Sequence, residues 1–256
     1  MAGVDTFRAL HHGRLPGDPL ILPGPWDAAS ARVLADAGFA ALATPSAGVA
    51  ASLGYEDGEV PYEEMFAAVA RIARSVPVPV SADVEDGYGL PPAELVERLL
   101  EAGAVGCNLE DTEHGTKRLK SPAEQADFLA AVRAAAGDRL FVNARVDTYL
   151  RGGGTVEEAV ERGRAYAAAG ADCVYPIMAK PAHLGPLADR LGLPLNAVAH
   201  PSFPPPRELG KLGATRITFG PGLQLRTMHA LSGIVHELGI TPDDAHPAGQ
   251  DSPTQK

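Results

Sequence analysis

The sequence predicts an α/β fold, a (β/α)8 TIM barrel with an N-terminal capping helix. Three observations predict it. A helix-period stretch ending in glycine is followed by a short apolar run at Gly38, Gly103, Gly170 and Gly213. Eight such apolar runs occur along the chain, with helical stretches between them. The length of 256 residues is close to the roughly 250 of a single closed barrel. Glycine just past a helix end reaches positive φ without steric cost. A run that is apolar throughout reads as a parallel strand buried on both faces, and strands alternating with helices make βαβ units.

Taken in order, a helix over residues 5–12 is expected to close the barrel bottom. The strands are expected at 20–22, 40–44, 78–83, 106–110, 140–144, 173–177, 195–198 and 216–219. The clearest helices are 62–75, 92–102, 121–136, 156–169 and 222–238. Pro92 suits a first helical turn, where its missing N–H leaves nothing unpaired. The segment after the first strand, PGPWDAAS, is not the G-x-G-x-x-G of an open doubly wound sheet. Residues 1–240 are read as one barrel domain, and the polar, proline-rich 241–256 as a disordered tail.

Composition narrows the function. The net charge is −10, with 22 Lys and Arg against 32 Asp and Glu, so a nucleic-acid partner is not expected. No run of about 18 apolar residues suggests a membrane span, and the order of a signal peptide is absent. Cys107 and Cys173 lie in apolar runs and read as reduced core thiols. A cytoplasmic protein is expected.

Barrel active sites lie at the C-terminal strand ends. Strand two ends in Thr44-Pro45-Ser46-Ala47-Gly48, strand three leads into Asp83-Val84-Glu85, strand four ends in Asn108-Leu109-Glu110, and strand five leads into Arg145-Val146-Asp147. Asp83 and Glu85 are two apart and should share one side of an extended segment. Clustered carboxylates need a cation to coexist. With no Cys or His beside them, these hard oxygens suit Mg²⁺, with Mn²⁺ possible, better than Zn²⁺; the alternative is a set of solvated loop acids. Arg145 can bind a carboxylate or phosphoryl group bidentately, or pair structurally with Asp147 or Glu110. Ser46 and the Gly48 backbone can donate to an anionic oxygen, or form a plain turn. Asn196, on strand seven, is a further substrate-binding candidate.

The segments LPGPWDAASARVLADAGFAALATPSAG, SLGYEDG, SADVEDGYG, NLEDT, VNARVDTY and TRITFGPGLQLRTM together resemble the isocitrate lyase/phosphoenolpyruvate mutase superfamily over nearly the whole chain. The resemblance implies that Asp83 ligates the metal directly and that Glu85, Glu110 and Asp57 hold it through water. It implies a substrate carboxylate at Ser46, Ala47 and Gly48, an aromatic-Asp pair at Trp26 and Asp27 near the substrate, and Arg145 neutralising the reacting group. It also implies enolate chemistry on a small 2-oxo acid or dicarboxylate, and a homo-oligomer, dimer or tetramer.

The same enolate serves several reactions, and the loop after strand four usually selects among them. Isocitrate-type lyases carry K-[KR]-C-G-H there, and phosphoenolpyruvate mutases K-x-N-S. This chain reads Thr116-Lys117-Arg118-Leu119-Lys120-Ser121, so Lys117 is retained as a catalytic candidate beside Arg145 and Glu110, while Leu119 replaces the acidic Cys. The reading is a Mg²⁺-dependent lyase cleaving a C–C bond adjacent to a carboxylate or 2-oxo acid. The alternatives are P–C bond chemistry of the mutase or phosphonopyruvate hydrolase type, and a non-catalytic binding barrel.

Overall fold

Short strands that are apolar on both faces can be buried only by neighbouring strands and by helices laid outside them. The computed structural model describes residues 3–239 and has that arrangement; the expected tail at 241–256 lies outside the described residues. The order is α1 (Val4–Ala9), β1 (Leu20–Ile21), α2 (Ala28–Asp36), β2 (Leu42–Ala43), α3 (Ser46–Leu53), α4 (Tyr62–Ala73), β3 (Val80–Asp83), α5 (Pro92–Glu101), β4 (Gly106–Glu110) and α6 (Pro122–Ala136). It continues with β5 (Phe141–Val146), α7 (Thr148–Arg151), α8 (Val156–Ala168), β6 (Cys173–Pro176), α9 (Pro181–Leu191), β7 (Asn196–Val198), α10 (Pro206–Lys211), β8 (Arg216–Thr218) and α11 (Gly222–Glu237).

The fold is α/β with parallel sheets, but the ladder is not one continuous ring. β2-β3-β4-β5-β6 form one sheet and β1-β8-β7 another, all pairs parallel. At one seam the Ala43 N–H donates to the Pro23 carbonyl (3.2 Å). At the other the Val174 N–H donates to the Pro194 carbonyl (3.0 Å), beside an isolated Val174–Leu195 bridge. Proline has no N–H to return a bond, so Pro23 and Pro194 thin the ladder where the sequence predicted closure.

The boundaries differ in two places that matter for the site. β5 extends two residues past its expected end, so Arg145 is held by strand pairing with Glu110 rather than by a loop. The segment 46–48, read as the end of strand two, begins helix α3, whose alanine-rich SAGVAASL favours a helix. Helix starts were better marked: Asp27, Ser121 and Thr155 each close a capping box with the residue three further on.

α1 seats Phe7 at the N-terminal strand ends, edge-on to Phe141 at 5.3 Å. His11 stacks on Phe141 at 4.1 Å, and its Nδ1–H donates to the Phe7 carbonyl (2.8 Å). That tautomer leaves Nε2 to accept from the buried Arg216 (3.4 Å).

Candidate active site

The C-terminal strand ends gather the acids and the arginine. Asp83 closes β3, buried, its backbone N–H donating to Thr44 Oγ1 (3.2 Å). Ser46 Oγ donates to Asp83 Oδ2 at 3.5 Å. Burial pushes the Asp83 carboxyl up to about 6 despite the nearby Arg145. Glu85 is not on an extended segment, as the sequence suggested. It lies past the end of β3 at φ 54, in the left-handed region. The chain turns there through Gly87, whose φ of 93 and closeness to Phe128 (2.9 Å from a built Cβ) admit no side chain. The turn keeps Glu85 beside Asp83, its N–H donating to Asp83 Oδ1 (3.4 Å). Burial raises the Glu85 carboxyl, and one of its oxygens, Oε1, is buried with no partner.

Glu110 ends β4. Its Oε2 meets Arg145 at 2.5 Å and its Oε1 meets His114 Nε2 at 2.6 Å. The expectation that no histidine stands beside the acids is therefore corrected. His114 lies one helical spacing past Glu110 and also stands 3.4 Å from Glu85 Oε2. Its hydrogen bond to Glu110 raises its pKa. Gly58 makes room for it, since a Cβ there would come within 2.4 Å of the ring.

Arg145 is fixed on its other edge by Asp147, with Nε to Oδ1 at 2.7 Å and a terminal nitrogen to Oδ2 at 3.2 Å. Burial disfavours the cation, but Glu110 and Asp147 outweigh it and hold the guanidinium charged. Asp147 is itself anchored: Thr112 Oγ1 donates to it (2.6 Å) and its N–H donates to Asp111 (2.8 Å). Tyr166 and Arg162 in turn donate to Asp111.

Of these groups, Ser46, Asp83 and Arg145 border a cavity of about 180 Å³, while Glu85, Glu110 and His114 stand behind its lining. Its lining also includes Ala47, Asp57, Tyr175, Ile177, Thr218 and Pro221, with Tyr175 beside Arg145 on the adjoining strand. Asn108 is at its floor. The Asn108 side-chain oxygen accepts from Asn143 (2.7 Å) and Arg216 (3.3 Å), which leaves its NH₂ as the group available to a ligand.

Not every sequence candidate borders this space. Gly48 is buried in α3, where a Cβ would come within 2.8 Å of Pro45. Asn196 bonds Thr218 and so acts one layer behind the wall. Asp27 is exposed, and its side chain caps α2 by accepting from the Ser30 N–H (2.7 Å). Trp26 is half-buried outside the lining, and Lys117 is exposed on its loop at φ 57. Sequence reasoning missed Tyr175, Ile177, Thr218 and Pro221. They come from strands six and eight and their following turns, where no charged motif drew attention.

Among the described residues no three Asp, Glu, His or Cys side chains form a ready-made ion cage. The cause is visible: Glu110 is engaged by His114 and Arg145, and Asp57 stands exposed at the mouth. The donor chemistry nevertheless suits a hard divalent cation. A buried Asp83 and the unpartnered Glu85 Oε1 would both be relieved by one, with water completing the shell.

Comparison with known proteins shows the family. The family model described as phosphoenolpyruvate phosphomutase matches residues 7–238. An uncharacterized protein of Mycobacterium tuberculosis is 34% identical over 217 residues, 84% of this chain and 81% of that one. A probable 2-methylisocitrate lyase of Corynebacterium glutamicum is 30% identical, over 68% of this chain and 60% of its own. A Burkholderia cenocepacia J2315 crystal structure, provisionally assigned as a phosphonomutase, superposes with a TM-score of 0.84 at 39% identity, over 91% of this chain and 98% of that one. The chain belongs to the isocitrate lyase/phosphoenolpyruvate mutase superfamily.

Proposed function

We propose that the protein is a lyase that cleaves a C–C bond next to a carboxylate or 2-oxo acid through an enolate, with Mg²⁺ as cofactor. The observation that carries this reading is that Asp83 and Arg145 line one cavity, which also takes in Ser46 and Ala47 at the N-terminus of α3. Asp83 would hold the cation directly, with Glu85, Glu110 and Asp57 around it. Bound Mg²⁺ supplies Lewis acidity toward the charge that develops on the substrate. Ser46 and Ala47 offer their N–H groups to the substrate carboxylate at the positive end of α3. Arg145, held rigid by Asp147, places fixed positive charge where the leaving group becomes anionic, which stabilises the transition state without reorganisation. His114 holds the Glu110 carboxylate by a hydrogen bond and stands 3.4 Å from that of Glu85.

The two parallel sheets are read here as one closed eight-stranded barrel forming a single domain. The same reading includes a cytoplasmic homo-oligomer. It is supported by α11, which exposes Leu225, Met228, Leu231, Ile234 and Val235 along one helix; sedimentation at micromolar protein should give a dimer or tetramer.

P–C bond chemistry is the second reading, favoured by the phosphonomutase relative. Phosphorus NMR of phosphonopyruvate with the Mg²⁺-loaded protein separates the two. We expect an unchanged spectrum together with release of a 2-oxo acid from a substituted malate. Phosphoenolpyruvate or free phosphate in the spectrum would replace the lyase reading with P–C chemistry.

A further inference from the structure

Arg216 is fully buried, and its guanidinium donates to His11 Nε2 (3.4 Å) and to the side-chain oxygen of Asn108 (3.3 Å). A guanidinium donates and never accepts, so the atom facing it must be an acceptor. That fixes the Asn108 amide with its oxygen toward Arg216. Asn143 must then turn its NH₂ to the same oxygen, at 2.7 Å. One cation thus sets the polarity of both amides.

In the strand register Asn108 stands level with Asp83 on one side and Asn143 on the other. It borders the cavity, with two donors on its oxygen and its NH₂ uncommitted among the described residues. This arrangement costs stability. A buried cation without an acid is unfavourable. Arg216 Nε, Asn143 Oδ1 and Ser81 Oγ are also buried with no partner among the described residues. Branched apolar side chains are the usual filling of a barrel interior and would carry no such cost. A polar layer kept beneath a cavity is accounted for by what it presents to that cavity.

Resting on the reading of the site given above, we propose that Asn108 is a further substrate-binding residue and that Arg216 is its positioning residue. The Asn108 NH₂ donates to the substrate oxygen on which enolate charge develops. Arg216 acts through the amide. It locks the donor in place, so nothing reorganises when the charge appears, and its unmatched charge polarises the amide toward the cavity.

Calorimetric titration of oxalate, an enolate mimic, into the Mg²⁺-loaded full chain tests this, with melting curves alongside. The wild type should bind oxalate. Asn108→Ala should bind it at least ~10-fold more weakly, the scale of a hydrogen bond to a charged group. Arg216→Met fills similar space and removes the donors. Its melting temperature should stay within a few degrees of the wild type, because the unmatched cation goes with the donors. Its oxalate affinity should still fall at least ~3-fold, since the amide then samples both orientations and loses the charge behind it. Wild-type affinity in either folded variant overturns the proposal while the site reading stands. A folded Arg216→Met that melts about ten degrees lower makes Arg216 structural and overturns its positioning role. Where a variant does not fold, the crystal structure of the wild-type oxalate complex decides. An oxalate oxygen about 3 Å from Asn108 Nδ2 upholds the proposal, and none within about 4 Å overturns it. Absence of oxalate binding by the wild type removes the site reading itself, and the proposal with it.

Discussion

At the C-terminal strand ends, Asp83 and Glu110 lie near a single arginine, Arg145, with Glu85 beside Asp83. At the opposite ends of the same strands, Arg216 is fully buried and, among the described residues, bonds only the amide of Asn108 and the ring of His11. One end has surplus negative charge and the other a cation without an acid. Both arrangements oppose folding, since buried charge is costly unless matched. The difference lies in what can relieve them. The upper cluster opens onto a cavity, so an ion and a substrate can complete it. The lower cluster is sealed by Phe7 and Phe141, so only its own neutral partners satisfy it. The contrast fits the division of such folds into a reactive face at the strand C-termini and a stabilising face below.

The sharpest way to break this comparison is Asp83→Asn. We expect metal-dependent turnover to vanish and, in metal-free buffer at pH 7 to 8, the melting temperature to rise by a few degrees. The sign follows from the raised carboxyl: its folded value of about 6 lies above the ordinary 3.8. Stability is therefore lost as pH rises through that window, and the ionised side chain is a burden above it. A lower melting temperature would mean that the carboxylate is a structural partner of Arg145, and the upper cluster would then be no different in kind from the lower. Arg145→Ala comes next. Loss of one preorganised electrostatic group typically costs ~10²-fold or more in kcat/KM; a change below about threefold in steady-state assays would leave Arg145 only a strut between Glu110 and Asp147.

How much of this was legible in the sequence also differs between the two ends. Asp83, Glu110 and Arg145 were found because charged residues terminate apolar runs, a signal that survives small boundary errors. Glu85 was found, but its geometry was not: its left-handed φ is set by the turn through Gly87, which alternation in a strand cannot foresee. His114 was not placed beside the acids, because its approach to Glu85 joins two strands and its bond to Glu110 depends on how the chain turns after β4. Asp27 looked like a site residue and proved to be a helix cap, a role that the Asp-x-x-Ser spacing states directly. Ile177 and Pro221, which line the cavity, carry no local mark, since in sequence they read as ordinary core. The sequence also counted eight strands but could not weigh Pro23 and Pro194, whose effect depends on which strand lies opposite.

The smallest expected effect probes the lower end. Burial, with the Arg216 charge beside it, pushes the His11 ring down to about 3 from its ordinary 6.5. Below pH 6.5 the unfolded chain binds a proton that the folded chain refuses. Stability should then fall as pH drops from 6.5 toward 3, by at most ~1.4 kcal/mol per pH unit from this residue. His11→Gln keeps a donor for the Phe7 carbonyl and an acceptor for Arg216 but cannot titrate. In urea unfolding between pH 7 and pH 4, the stability of the wild type should drop away relative to this variant, while the carboxylates common to both cancel in the difference. Parallel curves would mean that the ring takes up its proton inside the fold despite Arg216. The lower cluster would then have access to water or a mobile counterion, and its sealing could no longer be what separates it from the upper one.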